Sequence, residues 1–326
     1  MPKCVVGIDL GGTYIKGALF DLSGKLLTEG KIETEVARGE EQVIRNLAAL
    51  VNRLKASHPN EILSGVGLGV PGALDFENGR VLQSPNFPGW ENVPIRERAQ
   101  KALKVPVVIE NDANAAAMGE VWVGAARSLS HFLLITLGTG VGGGLVLNRK
   151  LWYGKAGKGG EVGHMRITPD GPLCGCGQRG CLEVYASSSA LVRMAREKWS
   201  ETQGNAGPFP PNFETAQGVA EAGEGGDPIA LEAFSRLAFY LGIAIANVAN
   251  LLDIHHYIIS GGVSNAFPLF KEPLRQEVAS RVFGMDRGTA VKTIRIERAL
   301  CGENAGMLGA GYLALLASES GETGIS

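Results

Sequence analysis

Cys174, Cys176 and Cys181 crowd into the stretch GHMRITPDGPLCGCGQRGCLE, just downstream of His164, in a chain with only five cysteines and five histidines. Three thiolates and one imidazole make a donor set suited to tetrahedral zinc. The one-residue gap between Cys174 and Cys176 is tighter than the two-residue gap of a zinc ribbon, so spacing alone does not fix the ion. Glycines at 175, 177 and 180 let the chain fold around it. Four protein ligands leave no open coordination position, so the expected ion is structural and does not activate water. No basic stretch followed by an apolar core and a cleavage site precedes VVGIDL, which points to a cytoplasmic, reducing compartment. There clustered cysteines read as metal ligands rather than disulfides. Cys4 and Cys301 stand apart and read as small core residues.

A second chemistry is suggested by glycines. GIDLGGTYIKG places Asp9 on a strand ahead of Gly11, Gly12 and Thr13, with Lys16 beyond. Backbone N–H groups of such a turn approach an anion without a Cβ in the way, the threonine hydroxyl adds a donor, and the aspartate can hold Mg2+. LGTGVGG repeats the device with Gly138, Thr139 and Gly140, and SGGVSNA supplies Gly261 and Gly262. Any one of these alone would be an ordinary turn. Two matches to the dinucleotide fingerprint, Gly67-x-Gly69-x-x-Gly72 and Gly138-x-Gly140-x-x-Gly143, carry no such weight. The first contains Pro71, and neither opens an evident helix with an acid at the required distance. There is no Gly-Lys-Ser/Thr, so a Walker-type loop is absent.

The elements that must position these residues read as α/β. VVGIDLGG and YIKGALFDLSGKLLTEGKIET predict three strands in a hairpin meander, and EEQVIRNLAALVNRLKA predicts an amphipathic helix with acids first and bases last. ILSGVGLGV and VPVVIE read as buried strands, and DANAAAMGEVWVG as a helix. HFLLITLGTGVGGGLVLN then repeats strand, glycine turn and strand. Residues 201–227, rich in Gly, Pro and Glu, read as a surface excursion between a helix from about Ser187 and a long one from about Pro228. Strand HHYIISGG, a helix near 268–283, strand TIRIERA and a closing helix GENAGMLGAGYLALLA complete the chain, with no short tandem repeat. The apolar run 237–252 is too short for a bilayer and holds Asn247 and Asn250, so it predicts a buried helix rather than a membrane contact.

With 326 residues, two domains are expected, and 45% hydrophobic residues suffice for sizeable cores. A net charge of −2 provides no basic field for nucleic acid.

In order, GIDLGGTYIKG, ENDANAAAMGE, LITLGTGVGGG, EVGH with CGCGQRGCLE, and IISGGVSNA resemble the sugar kinases of the ROK (repressor, ORF, kinase) family, within the actin and hexokinase superfamily. The resemblance covers nearly the whole chain, and the cysteine segment is its most specific part. It implies two α/β lobes of ribonuclease H type, an actin-like ATPase fold, with ATP and sugar meeting in a cleft. The expected lobes are residues 1–113 with 304–326, and residues 114–303 with the zinc segment 164–181. An Asn-Asp pair before a helix is by itself most simply a cap. The resemblance instead makes Asp112 the general base and Asn111 a sugar ligand. It likewise makes Gly72, Asn86, Glu161, His164 and Glu183 sugar contacts, and leaves phosphate and Mg2+ to Asp9, Gly11, Gly12, Thr13, Lys16, Gly138, Thr139, Gly140, Gly261 and Gly262.

The activity so implied is ATP-dependent phosphorylation of a hexose, with glucose giving glucose 6-phosphate as the first expectation. N-acetylmannosamine, N-acetylglucosamine, fructose or mannose as acceptor, or polyphosphate as donor, are alternatives that shared motifs do not separate. A sugar-responsive repressor is the reading from another class. It is disfavoured because the first glycine motif begins near residue 7, without room for a winged helix-turn-helix, and because Asp112 is present. The resemblance also implies a homodimer.

Overall fold

The first strands are buried on both faces, and their alternation shows what covers each. The structure is a computed structural model that describes residues 1–84, 86–203 and 209–320. Strand β1 (Lys3–Leu10) pairs antiparallel with β2 (Tyr14–Asp21), and β2 with β3 (Leu26–Glu33), as the predicted meander. Helix α1 (Glu40–Ala56) has Glu40 and Glu41 in its first turn, Arg53 and Lys55 in its last, and buries Val43, Leu47, Leu50 and Leu54. Strand β4 (Ile62–Val70), the short β5 (Ala73–Asp75), β6 (Arg80–Gln83) and β7 (Glu91–Val93), helix α2 (Ile95–Leu103), β8 (Val107–Asn111) and helix α3 (Asp112–Trp122) follow. The main sheet has the order β3-β2-β1-β4-β8, with β1, β4 and β8 parallel. Strands β5, β6 and β7 form a small sheet of their own.

Next come β9 (Phe132–Leu137), β10 (Val141–Leu147), β11 (Lys150–Leu151), helices α4 (Glu183–Ala186), α5 (Ser188–Gln203), α6 (Ala216–Glu224) and α7 (Pro228–Leu252). Strand β12 (His256–Ser260), helices α8 (Phe267–Ala279) and α9 (Arg287–Thr293), β13 (Arg295–Arg298) and α10 (Ala305–Ser320) close the described chain.

The chain forms two compact units. The first holds Met1–Ser130, Gly144–Gly159 and the residues from Leu300 on; the second holds His131–Gly143 and Gly160–Ala299. In the first, Cys4, Val6, Ile8 and Leu10 of β1 pack with the α1 face, while Val5 packs with Met307, Leu308 and Leu315 of α10. A strand's side chains alternate faces, so the period of two sorts them between two helical layers. On the α10 side the layers meet at backbone distance. A Cβ at Gly7 would lie 1.7 Å from the Met307 oxygen, one at Gly67 1.8 Å from Ala310 O, and one at Gly309 1.5 Å from Ala115 O of α3. Only glycine permits such approach. The expected lobe boundaries fall at residues 113 and 303. The compact units change at 130/131, 143/144, 159/160 and 299/300, and within the first of them α3 packs along α10.

In the second unit, β12 runs parallel between β9 and β13, and β10 follows β9 across the 138–140 turn. Helix α7 begins at Pro228, capped by the Asp227 carboxylate, which accepts the N–H groups of Ile229 and Ala230. At 25 residues it has the length and composition to cross a bilayer, unlike the shorter run read from sequence. Its Phe234, Leu237, Leu241 and Ile245 are nonetheless fully buried, and it packs on α5 and α8. The 201–227 segment departs from the expected surface excursion. Phe213 and Val219 are buried and α6 packs on α5 and α7, while residues 204–208 of that stretch lie outside the described residues.

Candidate active site

In the first unit the ends of the parallel strands come level: Asp9 pairs with Gly69, Gly69 with Glu110, and Val70 with Asn111. Ligands of open α/β sheets bind beyond such carboxyl ends. The loops leaving this edge carry the Gly11–Thr13 turn, Gly72 and the Asn111–Asp112 corner. The turn is held by the Thr34 hydroxyl, which donates to Gly11 O at 2.6 Å, and by Thr34 N–H on Thr13 O at 2.9 Å. It lies against Asn86: a Cβ on Gly12 would stand 3.0 Å from the Asn86 carbonyl oxygen. Gly72 has φ +115° and its Cβ would meet Gln83 O at 2.3 Å, so only glycine fits. Asn86 is exposed, with its N–H on the Ser84 hydroxyl at 3.3 Å. Asp9 is half-buried. Burial lifts its carboxyl above the usual range, and the charge of its cross-strand neighbour Lys16, itself exposed, pulls it back.

At the corner, the helix cap is Asn111 rather than Asp112. The Asn111 Oδ1 accepts the N–H groups of Ala113 at 3.0 Å and Asn114 at 3.4 Å. Asp112 is the first helical residue and is exposed, with Oδ1 accepting the Ala113 N–H at 2.9 Å. Behind them sits a carboxylate that opens ENDANAAAMGE but to which the sequence reading gives no role. Glu110 is 2% exposed. Its Oε1 accepts the Asn111 N–H at 2.8 Å and the Asn114 amide at 2.9 Å, and its Oε2 accepts the Tyr153 hydroxyl at 2.6 Å. Burial pushes its carboxyl up to about 7 despite these donors. Its partner Tyr153 lies far along the chain, so neither spacing nor composition signals the pair.

The second unit gathers the other residues. Gly261 has φ +84°, and its Cβ would lie 2.5 Å from Leu137 O, so the 261–262 turn sits beside the end of β9 that carries Gly138, Thr139 and Gly140. The turn itself closes by Gly138 N–H on Gly140 O at 3.0 Å. Glu183, at the start of α4, accepts the Val141 N–H on Oε2 at 3.1 Å, and its Oε1 lies 3.5 Å from the Cys174 sulfur. A Cβ on Gly140 would come within 2.6 Å of the Glu183 carboxylate, which places the glycine turn and this acid in contact. Glu161 is exposed and precedes one 3-10 turn, Val162–His164. Gly163 lets that turn press on β10, since its Cβ would fall 1.9 Å from Val141 O.

The ligand atoms of His164, Cys174, Cys176 and Cys181 all lie within 4.8 Å of one another. The Cys176 and Cys181 sulfurs are 3.7 Å apart, and His164 Nδ1 is 3.8 Å from the Cys174 sulfur. Two thiolates at about 2.3 Å from a tetrahedral zinc stand about 3.8 Å apart, so the donors fit that ion. Burial pushes the Cys174 thiol up to about 12 and raises Cys181 also, while the Gln178 backbone N–H holds Cys176 lower. A cation at the centre would offset that cost of ionisation.

The sequence profile of the ROK family matches residues 5–317. The chain belongs to the ROK family. Among ROK relatives it is 37% identical over 325 residues to a glucokinase of Halalkalibacterium halodurans, covering 98% of this chain and 97% of that one. It is 39% identical to a glucokinase of Thermotoga maritima, with 95% and 97% covered. The structure of a ROK glucokinase from Streptomyces griseus, in complex with glucose and AMPPNP, superposes with a TM-score of 0.79 at 34% identity, over 96% of this chain and 99% of that one. This ROK chain accordingly has the actin-like ATPase fold of the sugar kinases.

Proposed function

We propose that this chain transfers the γ-phosphoryl group of ATP to a hexose, glucose in the first place, with Asp112 as general base. The observation that carries the reading is the exposed Asp112 carboxylate at the strand-to-helix corner, on the edge where the parallel strands end. Similarity to glucokinases over nearly the full chain supports both the activity and the sugar. The accepting hydroxyl loses its proton to Asp112 as its oxygen attacks the γ-phosphorus, and ADP leaves in line. Asp9 holds Mg2+ directly or through water, and the Gly11–Thr13, Gly138–Gly140 and Gly261–Gly262 turns, with Lys16, bind phosphate. Asn86, Asn111, Glu161, His164, Glu183 and the backbone at Gly72 bind the hexose hydroxyls.

Zinc held by His164, Cys174, Cys176 and Cys181 would be structural. It would fix the His164 ring and leave its other nitrogen for a sugar hydroxyl. The family resemblance also supports a cytoplasmic homodimer, which sedimentation would test.

Asp112→Asn should lower kcat by about a thousandfold, within the usual range for a general base, with sugar binding retained. Turnover near the parent rate would remove Asp112 from that role. A coupled assay across glucose, mannose, fructose and the N-acetyl hexosamines, with ATP and polyphosphate, should favour glucose and ATP. Comparable rates on several sugars would defeat the narrow claim.

A further inference from the structure

The Glu110 carboxylate is placed to act on its neighbour. It clamps the chain on both sides of Asp112, through the N–H of Asn111 before it and the amide of Asn114 after it, both at Oε1. Asn111 and Asp112 in turn share the Ala113 N–H, so the corner has little freedom once Glu110 is fixed. What fixes Glu110 is Tyr153, whose hydroxyl takes the remaining oxygen at 2.6 Å. Tyr153 is itself anchored: its ring lies 5.0 Å from that of Phe76, and its carbonyl accepts the Gly159 N–H at 2.8 Å. Every donor to this carboxylate is therefore spent on the corner or on the tyrosine that braces it. As a folding element alone the arrangement is costly, because a carboxylate is desolvated here without a cationic partner.

We propose that Glu110 and Tyr153 are positioning residues for phosphoryl transfer, with Tyr153 acting through the Glu110 carboxylate to hold the Asn111–Asp112 corner in its reactive geometry. This rests on the reading of Asp112 as general base. A displacement of about 1 Å at a reacting group can cost a hundredfold in rate, so a brace of this kind is felt in kcat.

The test uses the full-length chain and four variants, with kcat and KM for glucose and the thermal unfolding midpoint read for each. Tyr153→Phe keeps the ring on Phe76 and deletes only the hydroxyl. It should lower kcat about tenfold, with KM within about threefold and most of the thermal stability retained. Glu110→Ala should lower kcat about a hundredfold, and Glu110→Gln, which still accepts at Oε1, should recover about tenfold of that. A purely structural brace would shift the unfolding midpoint and leave kcat alone. Tyr153→Phe with kcat within twofold of the parent, or with its whole loss in KM, overturns the proposal, whether or not Glu110→Ala folds. Asp112→Asn in the same assay separates the two claims. If it is inactive while Tyr153→Phe is normal, only the brace fails; if it turns over normally, the assignment of the base fails.

Discussion

Two acids, Glu110 and Asp112, sit two positions apart and live in opposite surroundings. Asp112 is exposed at the start of a helix, while Glu110 is 2% exposed and its carboxyl is pushed up to about 7 by burial. The native state thus holds the Glu110 proton more tightly than the unfolded chain, where the ordinary value is 4.5. Between those two values the unfolded chain has released the proton and the native state has kept it. Stability therefore falls as pH rises through this window, by about 3 kcal/mol in all, and the loss is complete above it. Glu110→Gln does not titrate. Relative to the parent, its urea unfolding free energy should improve from pH 5 to about pH 7 and level off above that, and a difference that stays flat throughout would show that Glu110 is already ionised at low pH. The contrast between the neighbours is half legible in the sequence. Asn-Asp before an alanine-rich run signals a corner, but the neutralising environment of Glu110 depends on Tyr153, which no local pattern announces.

Elements whose information is local are legible in the sequence. The β1–β3 meander follows from strand-like runs separated by Gly-Gly and Ser-Gly-Lys turns, and α1 follows from its acids, bases and apolar stripe. Helix α6 is not, because a Gly-, Pro- and Glu-rich composition surrounds few apolar anchors, among them Val219, which become informative only against α5 and α7. Helix α10 is legible as a helix, yet nothing in its sequence shows that its glycines divide by purpose. A Cβ added at Gly309 would meet Ala115 O at 1.5 Å, whereas nothing lies within 4 Å of one at Gly306. Gly306→Ala should therefore stabilise the protein by about 0.5–1 kcal/mol through helix propensity. Gly309→Ala should destabilise it by about 2 kcal/mol or more through overpacking of backbone on backbone. Thermal unfolding of the two variants should move in opposite directions, and equal shifts would mean that α10 does not approach α3 so closely.

At the scale of the whole molecule, a bound ion becomes part of the folding free energy. The segment from His164 to Glu183 has few apolar residues, and within it only Cys174, Cys181 and Leu182 are nearly inaccessible among the side chains of the described core. If zinc holds the cluster, the purified protein should carry about one zinc per chain, and a strong chelator should lower its unfolding midpoint. A fully active, equally stable protein without metal would exclude the ion. The resemblance in motif order makes this segment and the family legible from sequence. Which residues of each unit touch is not, because the contacts join residues far apart in the chain.

The approach of α10 to β1 shows where such separation matters most. Gly7 faces Met307, and Gly67 faces Ala310, so one face of the first sheet is covered by residues encoded after the whole of the second unit. A ribosome releases these strands before the residues of the second unit, and the covering helix after them. During that interval Val5, Ala18 and Phe20 have no α10 to bury them, while the residues of the second unit, encoded in between, have already been made. Strands translated before the second unit must thus wait for a helix translated after it, and their closure depends on contacts between residues far apart in sequence.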